Sequence, residues 1–222
     1  GKIEIGATTS IQRIVEHQGI KSVLNGFLSE SLEEIGSYPI RNAGTLGGSL
    51  VRPFPWSDVV TILSVLDTEV TYFHNGERKT RDFSRLYEDD FRSELNESVI
   101  EKLSIDLENE TSATASFSKF NRSEFDVAAL NLACRITHDQ GEIVEARLAA
   151  GARPMLAERA NEVEEELTGE KLGPELARKA GDMAAQVFEL GDDKKISGEY
   201  RETLVEKMTA DAIKGIYQEV ST

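Results

Sequence analysis

The chain has 222 residues, 39% of them hydrophobic and 29% charged, so it can bury a core and should form one large or two small globular domains. Its net charge of -15 argues against nucleic acid or an anionic membrane surface as the main partner, because phosphate contacts need a basic surface. No apolar run is long enough to cross a bilayer and no charged-then-apolar leader is found, so neither membrane insertion nor secretion is indicated.

Cysteine and histidine are too sparse to suggest a metal centre. The single cysteine, Cys134, lies in the apolar run VAALNLACRI and is predicted to be a buried core thiol. A lone cysteine excludes a disulfide framework and fits a reducing cytoplasm. His17, His74 and His138 lie far apart in the sequence, so we expect no zinc or iron–sulfur site within this chain.

Near its start the sequence predicts a strand followed by helices. The segment KIEIGATTS is typical of a short strand that runs into a turn. Apolar residues then recur at helical spacing in IQRIVEHQ, with Thr9 or Ser10 as a cap. A further helix over SLEEIGSYPI is predicted to stop at Gly36.

A glycine-rich loop is predicted directly after Pro39. The stretch RNAGTLGGSL, residues 41–50, contains three glycines, a threonine and a serine. Glycine clusters occur where a chain turns sharply or approaches another group closely, and adjacent bare amides can bind a phosphate. The stretch is neither a Walker A loop nor a GxGxxG motif. Its pattern alone favours a tight turn over an anion site.

The following segment, PFPWSDVVTILSVL, predicts a largely buried helix. Pro53 and Pro55 favour an extended approach, Ser57 can cap the helix, and Asp58 falls in its first turn. Two β-hairpins are predicted beyond it, over TEVTYFHNGERKTRDF with a His-Asn-Gly turn and over LACRITHDQGEIVEARLAAGA with a turn at residues 139–141.

The polar segment between the hairpins, SELNESVIEKLSIDLENETSATASF, is where we place a domain boundary, near residue 112. The predicted domains are residues 1–112 and 113–222. After the second hairpin the pattern predicts three helices, one closed by Gly169, one with Pro174 near its start and one capped by Ser197. Four side chains of the last helix share its predicted buried face: Tyr200, Leu204, Met208 and Ile213.

Five segments carry a further signal through their order and spacing: IEIGATTS, PIRNAGTLGGSL, PWSDVVTILSVLDTEV, FSKFNRSEFDVAALNLA and SGEYRETLVEKM. Together they resemble the flavin-carrying medium subunit of the molybdenum hydroxylases, a group that includes xanthine dehydrogenase and the flavoprotein of aerobic carbon monoxide dehydrogenase. The resemblance runs from residue 3 to residue 208, and its most specific element is RNAGTLGGSL followed closely by SDVV. With it, a close approach of the glycine-rich stretch to a ligand becomes the favoured interpretation.

The resemblance implies an α+β fold in two parts. The first is the C-terminal portion of a vanillyl-alcohol-oxidase-like FAD-binding domain, and the second is a small antiparallel sheet with helices, as in the C-terminal domain of the carbon monoxide dehydrogenase flavoprotein. FAD is expected between them. The implied partners are a molybdopterin-binding large subunit and a small subunit with [2Fe–2S] clusters, which deliver electrons through FAD to an acceptor in the cytoplasm.

The resemblance also assigns eight residues to the flavin site: Arg41, Thr45, Leu46, Gly47, Gly48, Ser49, Asp58 and Lys119. Residues 45–48 match a glycine loop that lies along the pyrophosphate and ribityl chain, and Asp58 matches a partner of that polar chain. Lys119 matches a lysine near the isoalloxazine ring, where a cation stabilises anionic reduced flavin. Structural alternatives stay open. Asp58 can simply begin a helix, Lys119 can be a solvated strand residue, and Arg41 can tie the loop to an acidic neighbour.

One element of the family's pattern has no counterpart before Gly1. Family members have an earlier glycine loop, Gly-Gly-Thr/Gln-Asp/Ser, which wraps the diphosphate. The resemblance implies that half of the cradle comes from an N-terminal part of the FAD domain, and the sequence does not decide whether that part is cleaved, deleted or encoded as a separate chain. We expect these 222 residues to bind FAD weakly or not at all by themselves, and to associate with that part, with the rest of a larger complex or with a second copy of the chain.

Two functions of different classes are compatible with the sequence. One is a flavin-dependent oxidoreductase subunit that transfers electrons and does not itself hydroxylate the substrate. The other is an interaction module that keeps the fold, docks a partner and binds no flavin. A relative of the vanillyl-alcohol-oxidase flavoenzymes is a third possibility that fits the C-terminal half poorly. The reducing substrate and the final acceptor are determined largely outside the recognised segments.

Overall fold

A computed structural model describes residues 1–51, 54–85, 88–107, 112–123 and 125–221 and shows two antiparallel sheets, each covered by helices. The predicted α+β class is confirmed. The domain boundary at residue 112 stays a prediction, and residues 108–111 beside it lie outside the described residues. In the described part of the chain, no helix combines the length and hydropathy needed to span a bilayer.

The N-terminal sheet has the strand order β1-β4-β2-β3. Its strands are β1 (Lys2–Gly6), β2 (Thr68–His74), β3 (Glu77–Asp82) and β4 (Val99–Asp106). The hairpin of β2 and β3 is confirmed, with its turn at Asn75 and Gly76, both at positive φ. Strand β4 is not predicted from the sequence, because its charged residues make the segment resemble a polar boundary. Its inner residues alternate with charged ones that face solvent, as is common in antiparallel sheets covered on one side.

Short helices surround this sheet: α1 (Ile11–Glu16), α2 (Gln18–Lys21), α3 (Phe27–Glu33), α4 (Tyr38–Ala43), α5 (Leu46–Val51), α6 (Asp58–Ser64) and α7 (Asp89–Asn96). Ser10 caps α1 as predicted, since its Oγ accepts the Arg13 N–H at 3.3 Å. Helix α3 ends at Glu33, before the predicted stop at Gly36. Ser57 occupies the N-cap position of α6 but makes no side-chain cap bond, and Pro53 lies outside the described residues.

The predicted glycine-rich loop is wrong, because residues 38–51 form the two helices α4 and α5. Gly44 and Thr45 separate them. The Thr45 Oγ1 accepts the Gly48 N–H at 3.2 Å, so the threonine acts as a side-chain cap for α5. Of the two glycines in α5, Gly47 faces Ala7 closely, whereas Gly48 is exposed.

The C-terminal sheet has the order β5-β6-β7-β8, with strands β5 (Ala113–Phe120), β6 (Leu130–Asp139), β7 (Glu142–Gly151) and β8 (Glu158–Arg159). The β6–β7 hairpin confirms the second hairpin prediction. Strand β6 is buried on both faces. Cys134 is on the face that packs with the C-terminal helices and is fully buried, as predicted, and burial raises the pKa of its thiol to about 12.

Three helices cover the outer face of this sheet: α8 (Asn161–Leu167), α9 (Pro174–Val187) and α10 (Gly198–Val220). Ser197 caps α10 by accepting the Tyr200 N–H at 3.2 Å, as predicted. The buried face of α10 is partly as predicted: Ile213 is fully buried and Leu204 and Met208 pack against the core. Tyr200 is instead 43% exposed, and Arg201, which was not predicted, is fully buried. Arg201 donates to the carbonyls of Ala129 and Ala152, a role that a hydrophobic pattern does not reveal.

Helix α6 joins the two parts of the molecule. Its middle packs over Ala133 and Ala149, small residues on the inner face of the C-terminal sheet. Just beyond its end, the Asp67 carboxylate accepts from Arg135 at 3.0 Å and from Arg147 at 2.5 Å. Burial opposes ionisation of Asp67, but the two arginines outweigh it and lower its pKa.

We expect Asp67→Asn to lower the free energy of unfolding by about 1–2 kcal/mol, because it removes one of the two carboxylates, Asp67 and Glu145, that pair with both arginines. Since the folded-state pKa of Asp67 is lowered, this contribution is present above the unfolded value and is lost as the pH falls through the folded value, below about pH 4. Urea unfolding at several pH values measures it. Asp182→Asn, in the exposed pair with Arg178, is the control and should change stability by less than about 0.5 kcal/mol. Equal effects of the two variants at neutral pH would contradict a role of Asp67 in joining the two parts.

Candidate functional site

A cleft of about 480 Å³ lies where the two parts of the molecule meet. Its walls come mainly from three segments: residues 35–49 around α4 and α5, residues 54–59 at the start of α6, and residues 125–127 from the C-terminal part. Ile11 of α1 also lines it. We call it the junction cleft. Its volume is in the range of small-molecule and cofactor sites.

The walls of the junction cleft combine apolar surface with hydroxyl and carboxylate groups. Phe54 and Trp56 stack with ring centroids 5.0 Å apart, and both are substantially exposed. Three residues with hydroxyl side chains also line the cleft: Thr45, Ser49 and Ser57. No lysine or arginine is among the described lining residues, which include two aspartates. The described part of the lining therefore suits an uncharged, partly aromatic group better than an anion.

Asp58 is the most constrained polar residue of the cleft. It is 9% exposed, and its Oδ1 accepts the Asn131 side-chain amide at 2.7 Å. Burial raises its pKa, while the Lys119 charge and the Asn131 bond oppose the shift. The Lys119 Nζ lies 3.6 Å from Asp58 Oδ2. The structure thus brings the predicted residues Asp58 and Lys119 together from different parts of the chain.

The side chain of Lys119 is buried and does not line the junction cleft. Its side chain is 4% exposed, and its Nζ donates to the carbonyl of Glu34 at the end of α3. The solvated-strand alternative is therefore wrong. In this structure Lys119 acts on the cleft through Asp58.

Gly47 is required for close packing inside the fold. A Cβ at this position would lie 2.6 Å from the Ala7 Cβ and 2.9 Å from the Ala7 carbonyl oxygen. The Gly47 N–H donates to that carbonyl at 2.9 Å, and the Leu46 N–H donates to Thr9 at 3.1 Å. The Leu46 side chain is buried in the core. These two amides are already hydrogen-bonded within the protein, so they do not form a phosphate cradle.

Arg41 stabilises the end of α3. Its guanidinium donates to Gln12 Oε1 at 2.7 Å and to the carbonyls of Glu33 and Ile35 at 2.8 and 3.2 Å. Its hydrogen-bond acceptors are therefore an amide oxygen and backbone carbonyls, and not the acidic neighbour of the structural alternative. Arg41 is 8% exposed and is not among the residues of the junction cleft.

Two family models match the chain in succession. The FAD-binding domain in molybdopterin dehydrogenase matches residues 1–105, and the CO dehydrogenase flavoprotein C-terminal domain matches residues 115–216. The chain belongs to the flavoprotein family of the molybdenum hydroxylases. The family predicted from the sequence is therefore confirmed, as are the two kinds of domain.

Relatives in this family are subunits of oxidoreductases. The chain is 26% identical to the glyceraldehyde dehydrogenase medium chain of Sulfolobus acidocaldarius, over 96% of this chain and 75% of that protein. It is 26% identical to the nicotine 6-hydroxylase medium subunit of Paenarthrobacter nicotinovorans, over 76% of this chain and 59% of that subunit. A carbon monoxide dehydrogenase structure from Hydrogenophaga pseudoflava superposes with a TM-score of 0.87 at 20% identity, covering 96% of this chain and 74% of that one. The superposition shows the shared fold.

Within this family fold, the eight predicted flavin-site residues divide into two groups. The residues that line the junction cleft are Thr45, Gly48, Ser49 and Asp58, whereas Arg41, Leu46, Gly47 and Lys119 do not line it. Three residues that support Asp58 were not predicted: Thr61, Asn131 and Gly151. The sequence contained one signal for them, since Asn131 is a polar residue inside the apolar run of β6.

We predict different effects for alanine at the two adjacent glycines of α5. Gly47→Ala should lower the unfolding free energy by about 1–3 kcal/mol, because the new Cβ would overlap the backbone of Ala7. Gly48→Ala is the matched control and should change it by no more than about 1 kcal/mol, since only the Thr45 hydroxyl, at 2.9 Å, is in the way and a helical alanine is favoured over glycine. Chemical denaturation of both variants measures the difference. If Gly47→Ala kept the parent's stability, the packing role would be wrong.

Proposed function

We propose that this chain is the FAD-binding component of a multi-subunit molybdenum hydroxylase, through which electrons pass from iron–sulfur clusters to an external acceptor. The observation that carries the proposal is the junction cleft, which lies between the two family domains and contains Asp58. A flavin bound there would supply one- and two-electron redox chemistry. The protein's contribution is to bind and orient it.

The chemistry of the junction cleft fits the riboflavin part of FAD. The Asp58 carboxyl group and the hydroxyls of Thr45, Ser49 and Ser57 can hydrogen-bond a chain of ribityl hydroxyl groups. The stacked Phe54 and Trp56 and the apolar residues opposite them offer surface to a planar ring. Four of the residues predicted from the sequence belong to this proposed site.

The same cleft does not suit the diphosphate of FAD. Its described lining residues include Asp58 and Asp126 but no cation, and the amides of Leu46 and Gly47 are already bonded to Thr9 and Ala7. Diphosphates in proteins are usually bound by free amides or by basic side chains. We therefore propose that the diphosphate is bound by the N-terminal fragment implied by the family resemblance.

The proposed partners follow from the family. Two relatives are named as a medium chain and a medium subunit, which are parts of larger enzymes. For this chain we propose a molybdopterin-binding large subunit and a [2Fe–2S] small subunit as partners, within the cytoplasm.

Flavin titration tests the proposal. The fluorescence of riboflavin and of FAD should be quenched or shifted when the protein is added. The two dissociation constants should lie within about tenfold of each other, because both ligands carry the ring and the ribityl chain that the cleft contacts. ADP, which carries the diphosphate and lacks the flavin ring, should not displace riboflavin. Asp58→Asn should weaken the binding of both flavins by about tenfold through loss of a carboxylate acceptor. Asp139→Asn, in the exposed hairpin turn, should leave flavin binding unchanged.

Two results would count against the proposal. Displacement of riboflavin by ADP would place the phosphates, and not the ring, in the junction cleft. A complex purified with its partner subunits that showed no flavin absorbance in the blue and no flavin binding would favour the flavin-free interaction module.

A further inference from the structure

The side chain of Asn131 occupies an unusual position for an amide. It is fully buried on β6, with its side chain toward α6, in the family's C-terminal domain. Its Nδ2 donates to Asp58 Oδ1 at 2.7 Å, and its Oδ1 accepts from the Thr61 hydroxyl at 2.8 Å. A flipped amide would place its oxygen against the carboxylate, so Asp58 selects one orientation and the Thr61 hydroxyl holds the amide oxygen in it.

The residues around Asn131 provide the space that this arrangement needs. Asn131 pairs with Gly151 across the β6–β7 ladder. A Cβ on Gly151 would lie 2.5 Å from the Thr61 hydroxyl and closer still to the Asn131 amide oxygen. Any larger residue at position 151 would therefore displace the Thr61–Asn131 hydrogen bond.

We infer that Asn131 is a positioning residue for the junction cleft: from the C-terminal domain it holds the Asp58 carboxylate in place as a hydrogen-bond acceptor for a ligand. Thr61 and Gly151 set the orientation of Asn131. The consequence is that the FAD-binding domain completes its site only when the C-terminal domain is docked against it. The flavin part of the test rests on the proposed function, whereas the stability part does not.

The charged groups that face Asp58 come from three elements. Lys119 on β5 lies 3.6 Å away, Glu34 at the end of α3 adds a negative charge, and Asp126 lines the same cleft from the C-terminal part. The Asn131 amide, in contrast to these groups, is a neutral hydrogen-bond donor to Asp58. Replacing it with aspartate would put two carboxylates in hydrogen-bond contact, and such a pair holds one shared proton with a strongly raised pKa.

Asn131→Asp therefore gives a pH-dependent test. At about pH 5 the shared proton can replace the amide N–H, so the variant should approach the wild type in unfolding midpoint. The raised folded-state pKa means that this stability is lost as the pH rises toward 8. The FAD dissociation constant of the variant should rise by about tenfold or more over the same interval, while that of the wild type should not rise, because Asp58 only becomes more ionised.

Asn161→Asp is the control for the added carboxylate, since Asn161 is exposed at the start of α8. A carboxylate at a helix N-terminus is favourable, so its stability should stay at or slightly above the wild type as the pH rises, opposite in sign to the loss expected for Asn131→Asp. Loss of stability in Asn131→Asp that is the same at pH 5 and pH 8 would overturn the inference, because that result indicates only a packing defect. If the wild type bound no flavin, the proposed function would fail while the stability comparison still decided the role of Asn131.

A second pair of variants keeps the test independent of the folding of Asn131→Asp. Thr61→Val removes the hydroxyl that orients Asn131 and should weaken FAD binding by roughly threefold or more. Thr68→Val is the matched control, because Thr68 is also buried and its hydroxyl has no hydrogen-bond partner among the described residues. Equal FAD affinities in the two valine variants, with wild-type binding intact, would show that the orientation of Asn131 does not matter for the site.

Discussion

The buried carboxylate of Asp58 constrains how the two domains of this protein fit together. A charge taken out of water must be paired or hydrogen-bonded, and burial alone disfavours its ionised form. The groups that compensate it, Asn131 and Lys119, both come from the C-terminal sheet. The carboxylate is therefore satisfied only when α6 lies against that sheet in the observed position.

A second ionic contact at the other end of α6 strengthens this constraint. Asp67 follows the helix and binds Arg135 and Arg147 of the same sheet. Between the two contacts, Ala133 and Ala149 let the helix approach closely. Apolar packing supplies attraction that is largely non-directional, whereas the polar pairs at the two ends define the position of α6 on the C-terminal sheet. The junction cleft opens beside the first of these pairs, so its geometry depends on the same docking.

The sequence predicted those elements whose signals are local. Ser10 and Ser197 are helix caps, and the Asn75-Gly76 turn joins a hairpin, because each depends on a few neighbouring residues. The element β4 is not predicted, since its solvent face makes it look polar, and the face of α10 is only partly predicted, because Arg201 is buried through carbonyls distant in sequence. The glycines at 47 and 48 were identified as a site of close approach, but the group that approaches Gly47 is Ala7 of the protein itself. The family resemblance predicts Asp58 and Lys119 as site residues, while Asn131, Thr61 and Gly151 become visible only when the two domains are placed together.

The most direct test of this account is hydrogen–deuterium exchange of the protein with and without FAD. If both domains build one cleft around Asp58, flavin should slow exchange in two separate segments at once, residues 57–61 at the start of α6 and residues 125–131 in the C-terminal domain. Protection confined to the N-terminal segment, with exchange at residues 125–131 unchanged, would contradict the claim that the C-terminal domain completes the site.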